Sequence, residues 1–347
     1  MTFFITFIVF IGFMLALDLG VFHKKDHEIG VKEAAVWTVV WIGMAMLFSL
    51  VLLFKAEWIH GITDMQSLLE FSKNAGISNL ILPEMGYDEA LKIYRREIFE
   101  QYMAGYWLEK SLSIDNIFVM LMVFISFGID KKYYHRVLFW GILVAIVLRF
   151  VFIFALGAVV AKFSWILAIF GIILIWSGFK MFWADTDEHI NTADHPVVKF
   201  ANKHFFVSRE LDGHNFVTHI NGMLYLTPLM IVLLVIEFSD IVFAVDSIPA
   251  AFSVTTDTFV IYFSNIFAIM GLRSLFFLFS SINDLFWALK YGLGVLLTFV
   301  GVKMVGHEFF GLEISTTISL FVILGILFGS ILLSLIWKKK DTDGDKR

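Results

Sequence analysis

Long apolar blocks dominate this chain, and polar residues fall mostly between them. A stretch of about 20 apolar residues is long enough to cross a bilayer as a helix. The pattern predicts about nine such helices, at 2–22, 35–54, 102–126, 137–160, 164–183, 223–252, 258–281, 286–305 and 314–337. The expected architecture is therefore all-α and polytopic. Two segments are too polar to be buried in lipid: 55–101, ending in the charged "YDEALKIYRREIFEQY", and 184–222, which holds five of the ten histidines.

Composition agrees with that pattern. Hydrophobic residues make up 59% of the chain and charged residues 16%, far from the roughly 45–50% and 25% of soluble domains. The absence of cysteine excludes disulfides, thiolate metal ligands and cysteine nucleophiles. The opening "MTFFITFIVFIGFMLALDLGVF" lacks the basic n-region of a signal peptide, so a retained first helix is expected.

Basic residues orient the array. Three Lys lie in 23–34, Lys131, Lys132 and Arg136 in 128–136, and five Lys or Arg in the tail 338–347. On the alternate side Lys162 stands alone in 161–163, and 253–257 and 306–313 have none. The positive-inside rule then places the N-terminus outside and the C-terminus in the cytoplasm. No nucleotide-binding motif or nucleic-acid signature is present, and the lipid bilayer is the expected environment.

An internal repeat is visible. "GILVAIVLRFVFIF" resembles "NIFAIMGLRSLFFLF", with Arg149 and Arg273 in step at an offset of 124. "WILAIFGIILIWSGFKMF" resembles "WALKYGLGVLLTFVGVKMV", with Gly178/Gly301 and Lys180/Lys303 at 123, and Asp115 falls on Asp240 at 125. Each unit holds three spans, so the two units have opposite orientations, an arrangement typical of transporters. The expected organisation is 1–54, two spans; 55–101, an extracytoplasmic insert; 102–183, the first three-helix repeat; 184–222, a cytoplasmic His-rich loop; 223–307, the second repeat; and 308–347, the last span and basic tail.

Acids interrupt the most apolar segments. "EKSLSIDNIFV" carries Glu109, Asp115 and Asn116, and "EFSDIVFAVDSIPA" carries Glu237, Asp240 and Asp246. An intramembrane carboxylate costs about 2.5–3.5 kcal/mol on insertion scales, so five of them point to function. Arg149 and Arg273 could neutralise Asp115 and Asp240 as structural pairs, which would leave three acids over. Glu109 could pair with Lys110. A regular helix sets Asp246 about 180° from Glu237, so Pro249 is expected to break the helix and re-aim Asp246. Asn116, Ser239, Ser247 and Asp18 are additional candidate oxygen donors. An all-oxygen set suits magnesium, calcium or manganese, with the ion as cargo and no resident cofactor.

These motifs, with "LALDLGVFHKK" at the start, resemble the TerC family of integral membrane proteins, and its Alx-type members in particular. The resemblance implies a bacterial inner-membrane protein that exports manganese(II), with Glu109, Asp115, Glu237, Asp240 and Asp246 as its metal site. Relatives associated with calcium, or with delivering metal to secreted enzymes, keep a calcium/proton exchanger and a translocon- or client-bound metal donor open. The enzyme alternative, an intramembrane aspartyl protease, lacks its paired Tyr-Asp and Gly-x-Gly-Asp motifs. His189, His195, His204, His214 and His219, with Asp185, Asp187, Glu188 and Asp194, read best as a solvated loop. "DTDGDK" in the tail lacks the rest of an EF-hand loop.

Overall fold

A computed structural model of the chain describes residues 6–7, 9–14, 30–74, 77, 80–163, 165–183, 195–282 and 288–336. Helix α1 is seen in the described part of 6–14. Helix α2 spans Val31–Lys55, followed by the short α3, Glu57–His60, and α4, Met65–Asn74. Then come α5, Tyr87–Ser126; α6, Lys131–Val160; α7, Ile166–Trp183; and α8, Pro196–His204. A hairpin of β1, Val217–Ile220, and β2, Met223–Leu226, precedes α9, Pro228–Phe252. Helices α10, Thr258–Met270; α11, Leu272–Ile282; α12, Ala288–Phe310; and α13, Thr316–Ile336, complete the described fold.

The expected all-α membrane architecture holds, with that hairpin as the single sheet among the described residues. Among the described residues, five helices (α2, α6, α9, α12 and α13) are long and apolar enough to cross a membrane, and α10 with α11 makes a sixth if counted as one span bent by 40°. The other three expected spans fall on α1, described only over 6–14, on the acid-bearing α5 and on α7, a shorter apolar helix. Two boundaries move. The span expected from 223 starts at Pro228, because 223–226 pair as a strand and Pro228 suits the first helical turn. The span expected from 102 is the second part of a 40-residue helix that begins inside the 55–101 insert; Asp88 and Glu89 in its first turn favour the helix N-terminus.

Helix α5 is the spine of the packing, touching α2, α9, α10, α11 and α13. Helices α7 and α12 cross so closely that side chains are excluded. A Cβ on Gly171 would lie 2.9 Å from the Gly301 carbonyl oxygen, and one on Gly301 2.5 Å from that of Gly171. Gly178 and Gly294 are reciprocal in the same way, at 2.6 and 2.9 Å. The bend between α10 and α11 falls at Gly271, where a Cβ would meet Trp41 of α2 at 3.2 Å and Lys110 Nζ at 2.8 Å.

The insert packs on the end of the bundle. Arg95 donates two hydrogen bonds to Glu57, at 2.8 and 2.5 Å. His60 Nδ1 lies 2.6 Å from the Tyr94 hydroxyl, and its Nε2 lies 2.9 Å from Asp257, the residue that caps α10.

Candidate functional site

The two acid-bearing helices, α5 and α9, lie against each other, with α10 packed on α5, and α6 packed on both α9 and α10. Arg149 of α6 reaches into that junction and is 2% exposed. Its Nη1 donates to Glu109 Oε1 and, at 2.9 Å, to Asn265 Oδ1 of α10. Its Nη2 donates to Asp240 Oδ1 at 3.0 Å and its Nε to Asp240 Oδ2 at 3.4 Å. Asn116 donates to Asp240 Oδ1 at 3.4 Å. One guanidinium thus joins acids from both motifs. Its five donors in a rigid fork suit it to hold two carboxylates at once.

This arrangement corrects the pairing expected from the sequence. Asp240 does meet an arginine, but Glu109 takes the place expected for Asp115. Lys110 does not meet Glu109; its ammonium is buried and donates to the Ala268 carbonyl at 3.3 Å, beside the Gly271 bend. That position is the C-terminal end of α10, where carbonyls lack intrahelical donors and a cation is favoured. Arg273 meets His135, with Nη1 3.0 Å from the imidazole Nε2.

The remaining acids lie apart from the Arg149 network. Glu237 is buried, and neither of its carboxylate oxygens has a hydrogen-bond partner among the described residues. It lines a small cavity with Asp240, Arg273 and mainly aliphatic side chains. A Cβ on Gly141 would come within 3.2 Å of Glu237 Oε1, so this glycine keeps room beside the carboxylate. Asp246 is half-buried and accepts a hydrogen bond from Ser177 of α7 at 3.4 Å. Asp115 is close enough to feel the charges of Lys290 and Asp246.

The auxiliary donors divide. Asn116 joins the network, whereas Ser239 donates to its own helix at the Val235 carbonyl, 2.9 Å. Ser247 is buried with no hydrogen-bond partner for its hydroxyl among the described residues. Asp18, His189, Asp185, Asp187, Glu188 and Asp194 lie outside the described residues. Among those described, no three His, Asp or Glu side chains gather as a metal-binding group. The five acids are therefore not one assembled site in this conformation.

The break expected at Pro249 is absent. Helix α9 continues through it to Phe252. Proline here removes one N–H donor in the helix's last turn, where the ladder is ending, and Ser253 N–H bonds back to Pro249 and Ala250 carbonyls. Asp246 faces α7 from a regular helix. Sequence reasoning missed Asn265, Ser177, Lys290 and His135, single polar residues that no local motif marks.

Comparison with known proteins adds the lineage. Residues 94–342 match the model of the integral membrane protein TerC family. The chain is 41% identical over 330 residues to an uncharacterized membrane protein, STKORF319, of Myxococcus xanthus, covering 95% of this chain and 91% of that one. It is 37% identical over 333 residues to the Escherichia coli (strain K12) protein named as a membrane-bound redox modulator, Alx, covering 95% and 92%. No solved structure matches the chain.

Proposed function

The chain belongs to the TerC family of integral membrane proteins, and on that premise we propose that it carries divalent metal ions, exporting manganese(II) from the cytoplasm. The observation that carries this reading is Glu237: a membrane-buried carboxylate with both oxygens unpartnered among the described residues, beside Asp240 and a cavity. Such a group calls for a cation, either a proton or a metal ion. Oxygen donors from Asp115, Asp246, Asn116 and Ser247 stand on the same two helices, so a modest shift of α5 against α9 would bring hard ligands round an ion. Glu109 and Asp240 enter that shell when Arg149 releases them.

The paired repeats support transport. Exchanging the units by 123 residues turns the Gly171–Gly301 approach into Gly294–Gly178, which is the second approach observed. This reciprocity is what a two-fold relation between α7 and α12 requires, and inverted repeats of that kind exchange shapes to open a central site to either side. In this reading the protein sits in the bacterial inner membrane with its N-terminus outside. The name of the Escherichia coli relative refers to redox modulation; with no cysteine in this chain, a redox effect here would follow from the metal moved or the client supplied.

The test is flux in liposomes containing only this protein, across manganese(II), calcium, magnesium and zinc, with and without a pH gradient. Manganese(II) flux that Asp240→Asn and Glu237→Gln each reduce about tenfold or more supports the reading. Absence of flux for every ion would overturn the free-standing carrier and favour delivery of metal to an exported client or translocon partner.

A further inference from the structure

Helix α8 belongs to the polar segment 184–222, yet it packs along the membrane span α9. Val197 and Val198 rest on the apolar cluster that includes Leu229, Val232 and Leu233 of α9. His195, which caps α8, sets its ring 5.9 Å from that of Phe238. Phe238 is ten residues past Pro228, about 15 Å along the helix axis. Helix α9 has 25 residues, about 37 Å, against a hydrocarbon core of about 30 Å. If all of the excess, about 7 Å, projected at this end, Phe238 would still stand about 8 Å inside the core.

Phe238 also belongs to the side of α9 that faces lipid. Leu234, Phe238, Val242 and Val245 fall on one side of the helix by their spacing, and all four are exposed. The N-terminal end of α8 therefore lies at bilayer depth, beside a lipid-facing stripe.

The outward side of α8 is both basic and apolar. The helix carries Lys199 and Lys203 and no acid, and Phe200 is 59% exposed. Just beyond it, Leu226 N–H donates to the Phe206 carbonyl and Ser208 N–H to that of Leu226, both at 2.8 Å. These bonds hold Phe205 and Phe206, both exposed, beside Leu226, two residues before α9 begins. Arg209 follows, also exposed. Exposed rings beside Lys and Arg at the end of a span suit the headgroup region, where rings enter the acyl boundary and long cations reach phosphate.

We propose that α8 and the Phe205–Phe206 bend are an interfacial anchor in the chain's own bilayer. Phe200, Phe205 and Phe206 seat among acyl chains of the leaflet at the N-terminal end of α9, and Lys203 and Arg209 reach anionic lipid headgroups. Part of the polar segment is thereby a lipid contact, whether or not the protein carries metal.

The chain has no cysteine, so a single-cysteine variant of the full protein carries a nitroxide label at one known place. Phe200→Cys and Phe206→Cys are labelled in liposomes of phosphatidylcholine, with and without phosphatidylglycerol. Collisions with oxygen, which concentrates in the acyl region, and with a water-soluble nickel chelate report the surroundings. Val242→Cys on the lipid-facing stripe and Glu210→Cys in the polar turn after Arg209 are the references. Both test labels should resemble Val242, with nickel collisions at least about threefold below those at Glu210. Nickel collisions equal to those at Glu210 would mean a solvated surface. Exclusion of both reagents would mean a protein cover, a second copy or another chain. Either result overturns the proposal.

The headgroup contact has its own arm. Lys203→Gln with Arg209→Gln should raise nickel collisions at Phe206 about twofold or more where phosphatidylglycerol is present, and change them little in phosphatidylcholine alone. The Val242 label in the same double variant should still report lipid, which shows that the span is intact. A change of equal size in both lipids, or none in either, would overturn the anionic headgroup contact.

Discussion

Arg149 and Arg273 stand at matching positions of α6 and α11, 124 residues apart, and live in different surroundings. Arg149 ties α5, α6, α9 and α10 together through Glu109, Asp240 and Asn265. Arg273 meets a histidine and borders a cavity. The cause lies in the residues that the repeat places around each. Asn265 in the second unit corresponds to Gly141 in the first, and Glu109 in the first corresponds to Leu234 in the second. Two of the three groups that fasten Arg149 are thus replaced by a glycine and a leucine on the other side, while the third, Asp240, corresponds to Asp115. The Arg149 junction is fastened by charge, while the cavity that Arg273 borders holds Glu237, an acid with no hydrogen-bond partner among the described residues.

The largest expected effect comes from breaking the Arg149 junction. Arg149→Gln would leave two carboxylates buried without their cation, and removing one partner of a buried pair costs about 3–5 kcal/mol. Arg273→Gln removes the guanidinium that meets His135 Nε2 and borders the cavity; a smaller loss than for Arg149→Gln is expected if the two buried carboxylates are what make Arg149 costly to remove. Thermal unfolding of both variants in detergent measures the difference. Equal shifts in Tm would mean that the two arginines do the same structural work, and the comparison would fail.

A smaller effect tests whether the halves are related at all. Gly178→Ala and Gly294→Ala, and likewise Gly171→Ala and Gly301→Ala, each push a methyl against the opposite helix's carbonyl. Overpacking of this kind costs about 1–3 kcal/mol. Gly325→Ala on α13, where a Cβ meets nothing within 4 Å, should be neutral or stabilise the helix by up to about 1 kcal/mol. If the two members of a reciprocal pair differed widely in their effect on Tm, the two-fold relation between α7 and α12 would lose its main support.

Much of this was legible in the sequence. Apolar length marked the helices, because a bilayer sets a minimum span and leaves backbone groups no partner outside the helix. The acids stood out because an apolar background makes any charge conspicuous. Their partners did not. Whether Arg149 takes Asp115, Glu109 or Asp240 depends on where a long side chain can reach across three helices, and sequence spacing along one helix carries no such information. Asn265 sits in "FSNIFAIM" without any motif around it. Pro249 misled because a proline's disruptive effect depends on how many turns follow it, and α9 ends three residues later.

The smallest effect sets Arg149 against Arg95, a guanidinium–carboxylate pair in the insert. The Arg95 and Glu57 side chains are 22% and 11% exposed, against 2% and 3% for Arg149 and Glu109. Burial pushes the Glu57 carboxyl up, but hydrogen bonds from Arg95 and from the backbone, with the Arg95 charge, outweigh it and hold it below its ordinary 4.5. A carboxyl depressed in the folded state stabilises above its unfolded value, and that contribution is lost as pH falls through the lower, folded value. Because water screens part of the pair, the contribution should be no more than about 1 kcal/mol. Hydrogen exchange of residues 57–74 should therefore be constant from pH 7 to 5, after correction for intrinsic rates, and lose protection below about pH 4.5. Arg95→Gln should start from the weaker protection and show little further loss over the same range. A loss of protection of equal size in the variant would assign the acid sensitivity to another group, such as the His60–Asp257 contact that also anchors the insert.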